Sequence, residues 1–289
     1  MPRHPSSPSA THRTTHPTRA SGSSSGVLGR ALGRVWGLVL LVRHWLLWVL
    51  LAAVLLQVVF VGQIALMAWV NPQSTAFMRS EAWRRLAAQE APVVGKTQPG
   101  QRPWAQVWVD ASQISPHLKR AVIAAEDDGF ANHPGVDWAA MESAWDRNQK
   151  REQQAQKAQA NGVAKPVKVV GGSTITQQLA KNLLLSGERH LGRKAQELVL
   201  TFSLEALLDK ARILEIYLNS VEWGDGVFGA EAAAQRYFGV SARQLNAVQA
   251  ARLAVMLPAP KFFEKRPDSA YINRRTATIL GRMDSAVLP

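Results

Sequence analysis

Two glutamates set in polar stretches, Glu126 and Glu197, are well suited to moving a proton, and Lys181, Arg189, Arg193 and Lys194 precede the second. A carboxylate can accept the proton of an attacking hydroxyl. Arginine grips phosphate oxygens in pairs through its planar fork, while lysine acts as a movable point charge. Together these residue types suggest transfer of a group away from a phosphate. The sequence lacks Gly-x-Ser-x-Gly, a Walker loop, His-Glu-x-x-His and a dinucleotide fingerprint, which removes several other enzyme classes. It contains no cysteine, so disulfide frameworks and thiolate metal sites are excluded. Plainer readings exist for each residue: an isolated glutamate is usually a solvated charge, and an Arg-Lys pair usually the polar face of a helix.

Helices must position these groups. Ser115 followed by Pro116 is a helix start, and Leu118, Val122 and Ala125 share one face before Gly129 and His133-Pro134-Gly135 break the run. Glu126 therefore falls at a helix end beside a turn, where His133 reads as a turn stabiliser. Thr174 and Gln177 have capping-box spacing, with Ile175, Leu179 and Leu183 as the apolar stripe of a second helix. Its other face carries Gln177, Gln178 and Lys181; Ser173, Gln177 and Gln178 read either as caps and structural hydrogen-bonders or as substrate ligands. A third helix is expected to bury Leu191, Ala195, Leu198 and Phe202, leaving Arg193 and Glu197 one turn apart on another face. Further helices end near Asn219, Gly239 and Pro258, and period-two alternation is confined to the region of Val107–Val109. Tyr217 and Phe238 read as core and Asn219 as a helix terminus. The class is mainly α. The Ala/Gln/Lys-rich stretch at 149–169, with Asn161-Gly162 and Pro166, reads as a mobile surface excursion.

Four motifs in order then resemble those of the peptidoglycan glycosyltransferases, glycosyltransferase family 51. They are Glu126-Asp127-Asp128-Gly129-Phe130-Ala131-Asn132-His133, the run from Gly171-Gly172-Ser173-Thr174 to Lys181-Asn182, Arg193-Lys194-Ala195-Gln196-Glu197, and Lys210 with Ile213–Asn219. The resemblance extends over 104–283. It implies a lysozyme-like lobe with a small membrane-proximal jaw, and an inverting transfer that polymerises lipid II into β-1,4-linked glycan. Glu126 would be the general base, Glu197 the second catalytic glutamate, orienting the cationic cluster, and Lys181, Arg189, Arg193 and Lys194 the holders of the diphosphate. The one cofactor to consider is a divalent metal such as Mg or Mn. Implied partners are lipid II, the growing lipid-linked strand, the membrane and the division or elongation machinery. Neither Ser-x-x-Lys nor Lys-Thr-Gly follows before Pro289, so the monofunctional form is expected.

Charge and hydropathy complete the plan. Of the net +13, six arginines and no acid lie before residue 45, which marks 1–44 as a disordered basic tail rich in Ser, Thr and Pro. From Trp45 to Val70 run 26 residues without an ionisable side chain, enough to cross a bilayer, with Trp45, Trp48 and Trp69 near the ends. A cleavable signal would have a shorter apolar core. The basic flank predicts a cytoplasmic amino terminus, with the remainder periplasmic if the cell is Gram-negative; the resemblance implies that the membrane is the bacterial inner membrane. A linker at 71–103, the catalytic domain at 104–283 and a tail at 284–289 follow. Two rivals remain. A lysozyme-like hydrolase or lytic transglycosylase would not need the basic cluster, and a non-catalytic scaffold would not need both glutamates. A nucleic-acid binder is disfavoured, because the densest charge is in the tail and no binding module is present.

Overall fold

The computed structural model describes residues 25–90, 104–160, 171–185 and 191–289, and the chain divides into two compact units, Met1–Leu56 and Gln57–Pro289. Helix α1, Ser25–Leu66, contains a 31-residue stretch, Trp36–Leu66, of mean hydropathy 2.5. Only 6% of its most apolar window is buried. That exposure is the opposite of a soluble core helix, and the length exceeds the roughly 20 residues that span a bilayer. Residues 25–44, expected in a disordered tail, are thus helical, because the apolar run continues upstream of Trp45 through Leu38–Val42. The helix stops at Leu66, and Met67–Val70 form a turn rather than the end of the span.

The second unit is helical with one small sheet. After α2 (Ala76–Glu90) come β1 (Ala105–Gln106), α3 (Pro116–Glu126), α4 (Trp138–Ala160), α5 (Ile175–Leu184), α6 (Leu191–Leu207) and α7 (Lys210–Ser220). Then β2 (Glu222–Gly224), β3 (Val227–Phe228), α8 (Ala230–Phe238), α9 (Ala247–Met256), α10 (Pro260–Phe263) and α11 (Ala270–Met283) complete it. The strand order is β1-β3-β2, with β1 parallel and β2 antiparallel to β3. The strand expected around Val107–Val109 lies two residues earlier; Val109 is instead held by the Asn219 side chain, which accepts from its N–H and donates to its carbonyl, each at 2.9 Å. Asn219 is therefore a fully buried brace between α7 and the chain after β1, more than a terminus.

Three expectations need correction. The region 71–103, expected as a linker, contains α2, whose Thr75 side chain accepts from the Met78 N–H at 3.0 Å and whose Met78 is buried. Ion pairs explain the docking: Glu81 meets Lys261 of α10 at 2.6 Å and Arg85 meets Asp225 at 2.9 Å. In the 149–169 stretch, residues 149–160 continue α4 as helix, which follows from their Ala, Gln, Lys, Glu and Arg content, all strong helix formers; 161–169 lie outside the described residues. On α6 the buried row is Glu197, Leu200, Thr201 and Leu204, while Ala195 and Phe202 are exposed and Leu198 is half-buried; the side chain of Leu191 lies outside the described residues. The helical spacing was right and the face was wrong, because the packing of α5 on α6 turns the polar Glu197 and Thr201 inward.

Candidate active site

The turn after α3 builds the site. Ser115 caps α3, and the helix ends at Glu126 with Asp127 in an extended conformation. Asp127 is buried and works in two directions: one carboxylate oxygen takes the His133 ring nitrogen at 2.8 Å, the other accepts the Ile175 N–H at 2.9 Å. A carboxylate at the first turn of a helix neutralises unpaired N–H groups and the positive end of the dipole. The amino end of α5 is therefore fastened to the residue after Glu126. Thr174 and Gln177 form the anticipated capping box, and the Thr174 hydroxyl also donates to the Gly135 carbonyl at 2.6 Å. Gly135 has φ +88°, and a Cβ there would stand 2.8 Å from both Glu205 Cγ and Thr201 Cγ2, so only glycine permits this loop to lie on α6.

One turn into α5, Gln178 faces Glu126 and its Nε2 donates to Glu126 Oε2 at 2.8 Å. Burial pushes the Glu126 carboxyl above the ordinary carboxylate range; the Gln178 amide, Arg275 and Lys181 pull it partly back, and Asp127 adds to the rise. A carboxylate raised in this way holds a proton more firmly once it has taken one, which suits a base.

A cavity of about 470 Å³ opens beside α5. It is lined by Ser173, Gln177, Gln178 and Lys181 and, from α6, by Arg193, Lys194 and Glu197. Glu126 lines an adjoining space of about 240 Å³ that shares Ser173. Seven of the nine residues singled out from sequence thus meet on one cavity, Glu126 joins it through Gln178, and Arg189 lies outside the described residues. Glu197 is only 4% exposed, and its two oxygens take Arg193 at 3.3 Å and Lys194. That is the anticipated one-turn pair, with a second cation added. The amide oxygen of Gln177 is engaged in the cap, and both ends of the Gln178 amide are bonded, since Tyr217 Oη donates to Oε1 at 2.9 Å.

Sequence reasoning missed the opposite wall: Phe77 of α2, Val221, Glu222, Leu257 and Pro260. Phe77 precedes residue 104, where the motif resemblance began, and carries no chemical signal of its own. Tyr217, read as core, is 1% exposed and yet spends its hydroxyl on Gln178; a buried tyrosine normally finds such a partner, and that was the available clue. For a divalent metal, the three-carboxylate group among the described residues is Glu81, Glu222 and Asp225. Lys261 sits among them at 2.6, 3.1 and 4.0 Å, so an ammonium already supplies the positive charge there. Around Glu197 that charge comes from Arg193 and Lys194.

Residues 93–284 match the family model described as Transglycosylase. The chain is similar to the biosynthetic peptidoglycan transglycosylase of Herminiimonas arsenicoxydans, 49% identical over 253 residues that cover 86% of this chain and 99% of the relative. It is also similar to the proteins of that name from Janthinobacterium sp. (strain Marseille), 48% identical over 256 residues covering 86% and 99%, and Burkholderia orbicola (strain MC0-3), 50% identical over 233 residues covering 81% and 85%.

Proposed function

The chain belongs to the transglycosylase family of peptidoglycan synthesis, and from that premise we propose that Glu126 is the general base of a glycosyl transfer whose departing diphosphate is held by Lys181, Arg189, Arg193 and Lys194. The protein is a peptidoglycan glycosyltransferase that polymerises glycan strands for the cell wall. The 4-hydroxyl of lipid II attacks the anomeric carbon of the lipid-linked strand; the new C–O bond forms as the bond to diphosphate breaks, and the hydroxyl proton passes to Glu126. Displacement from the opposite face turns an α-linked donor into a β-linked product. Diphosphate leaves as a stabilised anion, so its side of the reaction needs fixed positive charge more than a proton donor. Glu197, paired to Arg193 and Lys194, keeps two of those cations aimed at the cavity.

The observation that carries this reading is the contrast between the carboxylates: Glu126 accepts from a neutral amide next to a cation-lined cavity, while both oxygens of Glu197 are engaged by cations. The arginine-rich flank supports a cytoplasmic amino terminus and a periplasmic catalytic domain. Trp138, Met141 and Trp145 form an exposed stripe on α4, which supports α4 as the membrane-touching jaw. Glu126→Gln tests the base, because the amide keeps shape and hydrogen bonding but cannot take the proton. Polymerisation of labelled lipid II into lysozyme-sensitive product should fall at least about a hundredfold, the usual range for a lost general base, with the thermal midpoint retained. Near wild-type polymerisation by a folded variant would move the base elsewhere, with Glu197 the first candidate.

A further inference from the structure

Glu126, Gln178 and Tyr217 form a line of hydrogen bonds running from the cavity into the core: Gln178 Nε2 donates to Glu126 Oε2 at 2.8 Å, and Tyr217 Oη donates to Gln178 Oε1 at 2.9 Å. An amide has one donating and one accepting end, and nothing in a glutamine side chain itself decides which end faces a neighbour. An ionised carboxylate only accepts. If the Gln178 amide turned over, its oxygen would face the Glu126 carboxylate and repel it. Tyr217 is 1% exposed, and burial together with the charges of Glu126 and Asp127 raises its phenol well above the usual range, so it keeps its proton and stays a donor.

We propose that Tyr217 is a positioning residue for the reacting carboxylate, acting through Gln178: its hydroxyl holds the amide in the one orientation that donates to Glu126. The inference rests on the reading of Glu126 as the base. It assigns Gln178 a role between the two residues and gives α7, which contributes neither glutamate nor phosphate-binding cation, a part in the reaction. The other charged groups acting on Glu126 are Arg275 of α11 and Lys181 of α5, which favour the ionised form, and Asp127 of the adjoining turn, which opposes it. None of these is altered in the test.

The test is the pH dependence of polymerisation by the full-length enzyme. The base works ionised, so activity is lost as pH falls through its pKa. Tyr217→Phe frees the amide, weakens the donation that favours the ionised form, and should move the acid limb to higher pH by about half to one unit, the scale of one net hydrogen bond. KM for lipid II should not change. Gln178→Met, close in shape but without polar ends, should move the limb the same way, and adding Tyr217→Phe to it should move it no further. A Tyr217→Phe limb that superimposes on wild type, or a further shift in the Gln178→Met background, overturns the relay. Glu126→Gln run alongside separates the two readings: an active Glu126→Gln enzyme sinks the base, whereas an inactive one beside an unshifted Tyr217→Phe sinks only the relay.

Discussion

Glu126 and Glu197 are the same side chain on two helices, and their surroundings differ: one accepts from an amide, the other from two cations. Both oxygens of Glu197 are committed to Arg193 and Lys194, at a position 4% exposed. Only the carboxylate of these pairs is buried, with Lys194 reaching it from the surface, so the cost of removing a cation falls on the Glu197 charge left behind. Glu126 is held by an amide that does not neutralise it, and burial raises its proton affinity. Polymerisation should therefore have an acid limb above the ordinary carboxylate range, checked by initial rates across pH. In the proposed mechanism Lys181 serves the other half of the chemistry. Removing it deletes a charge felt by both the bound substrate and the transition state, so Lys181→Ala should raise KM for lipid II and lower kcat together. A variant that lowered only kcat would place Lys181 closer to the departing oxygen than to the ground-state diphosphate.

At the scale of elements, the start of α5 is the hinge of the site, because one short segment carries the capping box, the Asp127 contact and the Gly135 contact. Thr174→Ala removes both the cap and the hydroxyl donated to the loop. Losing an N-cap usually costs about 1 kcal/mol, and the unfolding midpoint in denaturant should fall accordingly. Activity should fall further than stability, since the same turn sets Gln178 against Glu126; an activity loss no larger than the loss of folded protein would argue that α5 is held mainly by its buried Ile175, Leu179 and Leu183. Helix α2 shows how a segment without motifs joins a site. Its Phe77 lines the cavity because ion pairs to Lys261 and Asp225 fix it to the region of α10 and β2.

At the scale of the whole molecule, a basic flank precedes an exposed helix long and apolar enough to cross a membrane, and a helical unit follows it, in keeping with a single-pass plan. A reporter fused after Pro289 should be active only if it functions in the periplasm, and a working cytoplasm-only reporter at that position would reverse the orientation. A long apolar helix, the caps at Ser115 and Thr174 and the Arg193–Glu197 pair were legible in the chain, because each depends on composition or on neighbours within one helical turn. The order of the four motifs added the family. The buried face of α6 was not legible: Ala195 and Phe202 are apolar and Glu197 and Thr201 are not, so periodicity alone favoured the wrong side. Nor was the helicity of α2 as part of the cavity wall, nor the bond from Tyr217 to Gln178, which joins residues 39 positions apart. Local sequence sets helix ends and spacing through hydrogen bonds that span a few residues. Which face is buried, and which polar groups meet there, is settled only when distant helices pack and every buried donor must find its acceptor.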